Sequence, residues 1–278
     1  MTLPRQSLRR MAILLTCAAL FQPGNLAAEL VAARHLEGLA HGFLVLHSMD
    51  GEHLADGELI QNVRGGRVTM QLVFHFRDGS LHDETAVYSQ RGSFRLLSYH
   101  LVQKGPAFKT QLEVSFDTSS GRVSVRYSEE NGESKTINER PKLPPDVANG
   151  MILALLKNIR PETQPTTVSM LAATPKPRVV KLQIAPQDEE AFTTGSTRRK
   201  ATHFVVKVEL GGITKLVAPL LGKQPADTHV WILQGQAPAF VKFEGQLWIG
   251  GPIWRIELSS PAWPKTAGEE KPSEEKKE

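Results

Sequence analysis

The stretch "RVTMQLVFHFRDGS", residues 67–80, decides how the chain is to be read. Val68, Met70, Leu72, Phe74 and Phe76 fall on one side of an extended backbone. Arg67, Thr69, Gln71, His75 and Arg77 fall on the other, with Val73 the apolar exception. A period of two with one apolar face marks a half-buried strand, because successive side chains of extended backbone point to opposite faces. Asp78-Gly79 then supplies a tight turn, since glycine enters positive φ without a Cβ clash. "LHDETAVYSQ" (81–90) returns from that turn as a second strand.

Working outward, the same pattern recurs. "SFRLLSYHLVQK" (93–104), "KTQLEVSFDTSSG" (109–121) and "RVSVRYSEENG" (122–132) are separated by turn signals at Gly92, Gly105-Pro106, Gly121 and Asn131-Gly132. It resumes in "KPRVVKLQIAP" (176–186), "KATHFVVKVELGG" (200–212), "THVWILQ" (228–234), "AFVKFEGQLWIGG" (239–251) and "IWRIELSS" (253–260). Regular spacing of this kind predicts an antiparallel meander of roughly eleven or twelve strands. A short helical turn is expected at "ITKLVAPLLG" (213–222), broken by Pro219. "YHLVQKGPAFKTQLEV" (99–114) echoes "VWILQGQAPAFVKFEG" (230–245); a duplication, or simply two hairpins with proline in the turn, accounts for the likeness.

One segment departs from this pattern. In "LPPDVANGMILALLKNIRP" (143–161), Pro144, Pro145 and Asp146 suit a helix start, and Lys157, Arg160 and Pro161 a helix end. Val147, Met151, Ile152, Leu155, Leu156 and Ile159 follow a helical period. The expectation is a buried helix over 145–159, with Gly150 admitting a close neighbour. A buried helix within an antiparallel sheet requires a concave sheet around it. The fold class expected is therefore all-β with one central helix: an incomplete barrel closed by that helix. The candidate cavity and lid residues are the six apolar helix positions together with Trp231 and Trp248.

Leader-like N-terminus, meander, central helix and second meander together resemble the periplasmic lipoprotein-carrier type of half-barrel. "FRDGSLHDETAVYSQRGSFRLLSYHLVQKGPAF" (76–108) and "GPIWRIELSSPAWP" (251–264) are similar to stretches of uncharacterised secreted bacterial families. The resemblance implies a cavity between sheet and helix that holds acyl chains. It carries over no functional residue.

The N-terminus reads as an export signal. Arg5, Arg9 and Arg10 precede the apolar run "MAILLTCAALF" (11–21), and Leu26 and Ala28 suit a cleavage site after residue 28. The run is too short to cross a bilayer comfortably, which takes about 20 residues. Cys17 lacks the small preceding residue of a lipidation site, and Arg9-Arg10 is a weak twin-arginine signal. The expected organisation is a signal over 1–28, a single β domain over 29–264 and a charged, disordered tail over 265–278, with the protein in the periplasm or outside the cell. The chain has 33 basic and 29 acidic residues. Removing the three arginines of the leader leaves 30 against 29, so the basic excess belongs mostly to the signal and gives no nucleic-acid footprint. The single cysteine is also in the leader, so no disulfide or thiol chemistry is expected.

Catalytic patterns are missing. His35, His41, His47 and His53 recur every six residues, but Gly38, Gly42, Asp50-Gly51 and Gly57 interrupt any strand that would align them on a metal. His82-Asp83-Glu84 reads as a solvated strand edge, because adjacent strand residues diverge. No nucleophile elbow or zinc-protease helix occurs. The "MDGEHLADGE" stretch (49–58) lacks the alternating carboxylates of a calcium loop. The expectation is a binding protein without cofactor, metal, nucleic acid or enzymatic activity. Its ligand would be a lipid or acyl chain, admitted as the 145–159 helix swings. The alternative is an envelope scaffold with a solid core that docks another envelope protein. A hydrolase comes third.

Overall fold

The computed structural model describes residues 30–129, 132–194, 196–209 and 225–259. The stretches expected to be a signal (1–28), a helical turn (213–222) and a disordered tail (265–278) lie outside the described residues. Fourteen strands form one antiparallel sheet: β1 (Ala40–Ser48), β2 (His53–Arg64), β3 (Arg67–Phe76), β4 (Leu81–Ser89), β5 (Arg95–Lys104), β6 (Leu112–Asp117), β7 (Arg122–Ser128), β8 (Ser134–Glu139), β9 (Thr166–Ala172), β10 (Arg178–Thr194), β11 (Thr197–Glu209), β12 (Thr228–Leu233), β13 (Ala239–Gly245) and β14 (Trp254–Leu258). The spatial order is β8-β7-β6-β5-β4-β3-β2-β1-β14-β13-β12-β11-β10-β9. Two meanders thus meet at the β1–β14 pair, and the sheet does not close between β8 and β9.

The turn at Asp78-Gly79 forms as its residues dictate. Gly79 adopts φ +86°, its N–H donates to Phe76 O at 3.1 Å, and Asp78 Oδ1 accepts from Ser80 N at 2.8 Å. Val68, Met70, Phe74 and Phe76 are buried on one face, as the period of two requires.

The fourteen strands among the described residues exceed the expected eleven or twelve, and two of the additional ones run through glycines. Gly42 lies inside β1 and Gly57 inside β2. A Cβ on Gly57 would stand 2.4 Å from the Phe74 ring, so the aromatic ring on β3 fills the space that a side chain would take. Glycine here makes room for a neighbour and leaves the strand intact.

The central helix is also shorter than expected. Only Ile152–Leu156 is helical (α1). Gly150 has φ +68°, outside the helical region, and breaks the run before it. Residues 146–149 instead run along the edge of β9. Val147 makes a parallel bridge with Ser169. The Asn149 side chain imitates a strand partner, donating from Nδ2 to Leu171 O and accepting from Leu171 N, both at 2.8 Å. Asp146 accepts from Ser169 Oγ at 2.9 Å and from Lys181 Nζ at 3.0 Å. The connector from β8 to β9 therefore caps one exposed sheet edge.

The larger core cluster joins Val68, Tyr88, Phe116 and Val125 of the first meander to Leu182, Ile184, Phe204 and Ile232 of the second, with Val147, Met151, Leu155 and Ile159 among them. One sheet brings its two ends into a common cluster only by curling around it. A smaller cluster holds Leu44, Leu46, Phe74, Phe76, Phe108, Trp254 and Ile256 at the other end of the strands. Near the start of β1 the N-terminal segment is tied across the sheet: Asn158 Oδ1 accepts from Arg34 N and His35 N, both at 2.7 Å, and Lys157 pairs with buried Glu37 at 2.6 Å.

Candidate functional site: the interior of the curved sheet

Cross-strand partners share a face, so the pairings trace rows across the inside of the sheet. One row runs Gly42–Leu59–Leu72–Glu84–Leu101–Val114–Val125, from β1 to β7. Its β5–β7 half is packed, with Leu101, Val114 and Val125 all buried. The β2–β4 half differs. Leu59, Leu72 and Glu84 point inward yet stay half-buried. Phe240 and Phe243 of β13, also half-buried, contact both clusters, as Leu59 does. Leu258 shares the inner face with its partner Leu44, and is 53% exposed beside Gly42. Inward side chains can retain solvent contact only where the packing leaves room. The half-buried side chains of Leu59, Phe240 and Phe243 lie between the two clusters.

Glu84 stands in this inner row between Leu72 and Leu101. Its Oε1 accepts from Tyr99 Oη at 2.7 Å. Burial raises the Glu84 carboxyl above the usual range, with the Tyr99 hydrogen bond opposing. Burial, with the neighbouring carboxylate, also raises the Tyr99 phenol. Two residues earlier on the same face, His82 is buried, with Nδ1 bonded to Gln103 Nε2 at 3.1 Å and Nε2 unpartnered. Desolvation lowers its pKa to about 4, so the ring is neutral. The expected solvated edge at 82–84 is thus corrected. His82 and Glu84 both face inward, and only Asp83 points out, accepting from Gln71.

The residues selected from the sequence are distributed otherwise. Val147, Met151, Leu155, Leu156 and Ile159 are fully packed in the larger cluster, and Ile152 packs half-buried against it. Trp231 lies on the opposite sheet face from Val230 and Ile232. It stacks on His203 at 4.5 Å, beneath Lys242 Nζ at 3.7 Å. Trp248 packs against the smaller cluster with its ring over Gly251. The inward spacing of 82 and 84 within "LHDETAVY" was the signal available for Glu84; none marked Phe240 or Phe243 as only half-buried.

Outside the curl, an open concavity of about 810 Å³ runs over β4–β8, floored by Thr85, His100, Ser115 and Ser124. The recurrent histidines do not converge. His41 meets Glu58 at 2.8 Å, and His47 lies 5.5 Å from His53, ring to ring. No group of three metal-ligating side chains occurs among the described residues. No helix among them is long and apolar enough to cross a membrane.

No protein-family description matches the chain. No curated protein matches it. Among solved structures it is similar to a β-barrel-like protein of a domain of unknown function, DUF1849, from Brucella abortus, at 10% identity and TM-score 0.44, over 81% of this chain and 98% of that one. It is also similar to the hypothetical lipoprotein YmcC of Escherichia coli, at 10% identity and TM-score 0.33, over 84% of this chain and 91% of that one.

Proposed function

We propose that this is an exported binding protein of the cell envelope that takes an apolar or amphipathic ligand, a lipid or acyl chain, into the interior of its curved sheet. The observation that carries this reading is the set of inward apolar side chains that stay only half-buried between the two clusters, Leu59, Leu72, Phe240 and Phe243, with the exposed Leu258 at the sheet end. Apolar surface held open to water is stabilised by an apolar guest at about 25 cal/mol per Å² covered. The leader-like N-terminus supports export. The reading is of a binder and not an enzyme, with ligand contact and no covalent step.

Titration of a fluorescent acyl probe into the exported protein tests it. Saturable binding is expected, weakened about tenfold or more by Leu59→Trp, which fills the space, and unchanged by Leu155→Met in the packed cluster. Circular dichroism establishes that both variants fold. No saturable binding by the wild type would overturn the reading. The packing around Met151 and Leu155 favours, as the second account, an envelope scaffold with a solid core.

A further inference from the structure

Three buried or inward carboxylates can be compared. Glu37 is paired with Lys157 at 2.6 Å, and Asp146 with Lys181 at 3.0 Å. Glu84 receives only the neutral Tyr99 hydroxyl, and no described lysine, arginine or histidine forms an ion pair with it. Its row neighbours are Leu72 and Leu101. A carboxylate in apolar surroundings is costly unless a cation or several donors meet it. The fold supplies that partner at two such sites and omits it at the third, which lies in the half-buried inner row.

We infer that Glu84 is the head-group site of the interior, and that the ligand it selects is an amphiphile with a protonated amine. The inference rests on the interior being the ligand site. Tyr99 fixes Oε1, which leaves the second carboxylate oxygen to accept from the ammonium group. From Glu84 the row passes Leu72 and Leu59 to Gly42, three strand intervals or about 14 Å. The alkyl chain of the ligand lies along that row, over Leu72 and Leu59 towards Gly42 and Leu258.

Calorimetric titration with dodecylamine, dodecanol and dodecanoate tests this, because the three share a tail and differ in head group. The wild type is expected to bind the amine roughly tenfold to a hundredfold more tightly than the alcohol, the scale of a charge-assisted hydrogen bond, and the carboxylate most weakly. Glu84→Gln should remove the preference for the amine, bringing its affinity level with that of dodecanol. The ranking in the wild type needs no variant, so it stands even if the glutamine protein fails to fold. Equal affinities, a preference for dodecanoate, or an amine preference that persists in Glu84→Gln overturns the head-group assignment while the interior site survives. Failure of all three probes to bind overturns the interior site itself.

Discussion

At the scale of single residues, two positions inside the curl carry measurable consequences. His82 has a folded pKa of about 4 against 6.5 for the free side chain. The unfolded chain therefore binds a proton between those values that the folded chain refuses. Stability is complete above pH 6.5 and falls as the pH drops towards 4, by about 3 kcal/mol from this group. Urea unfolding at pH 7 and pH 4.5 should show a smaller acid loss in His82→Gln than in the wild type; equal losses would contradict the burial of a neutral ring. Gly150 is the second position. A Cβ there would add strain at φ +68° and stand 2.7 Å from Ala86 Cβ. Gly150→Ala should cost about 2–4 kcal/mol, read from the urea midpoint, whereas an unchanged midpoint would contradict the tight passage. Neither residue was legible as such in the sequence. Taken as three adjacent residues, His82-Asp83-Glu84 diverge; the pair two apart, which shares the inner face, is what burial singles out. The helical period puts Gly150 inside a helix with a close neighbour; the neighbour is Ala86, and the helix begins only at Ile152.

Among the elements, strands of strict alternation were readable, because hydrophobic period alone fixes their faces. β3 carries its buried residues at the positions the period assigns. β1 and β2 were hidden because Gly42 and Gly57 break the pattern, and only a neighbour from another strand, the Phe74 ring, explains why glycine is tolerated. The 143–161 segment looks more helical than it is for a related reason. Its apolar residues recur at helical spacing, but they are buried by a connector that first runs along β9 and only then makes the turn α1. Asn149 secures that connector by a two-bond side-chain imitation of a strand. Asn149→Ala leaves the N–H and C=O of Leu171 without these partners and should cost about 2–4 kcal/mol. It should also raise hydrogen exchange at the Leu171 amide ahead of its neighbours in β9. Exchange unchanged at Leu171 would contradict the capped edge.

For the molecule as a whole, the architecture follows from where the two meanders join. The β1–β14 pair makes one continuous sheet of both, and the shared cluster requires that sheet to curl. A curl of this size holds two packed clusters, bridged by Leu59, Phe240 and Phe243. The sequence announces a concave sheet but not which part of the concavity is filled, since filling depends on side chains from opposite ends of the chain. The central claim is the proposal that the interior accepts an amphiphile beside its half-buried residues. Native mass spectrometry of the protein purified from a bacterial periplasm, before and after organic extraction, tests this most directly. The account predicts a bound mass that extraction removes and that proves to be an amphiphile. A bare polypeptide mass that stays bare after incubation with long-chain amines and fatty acids would contradict it.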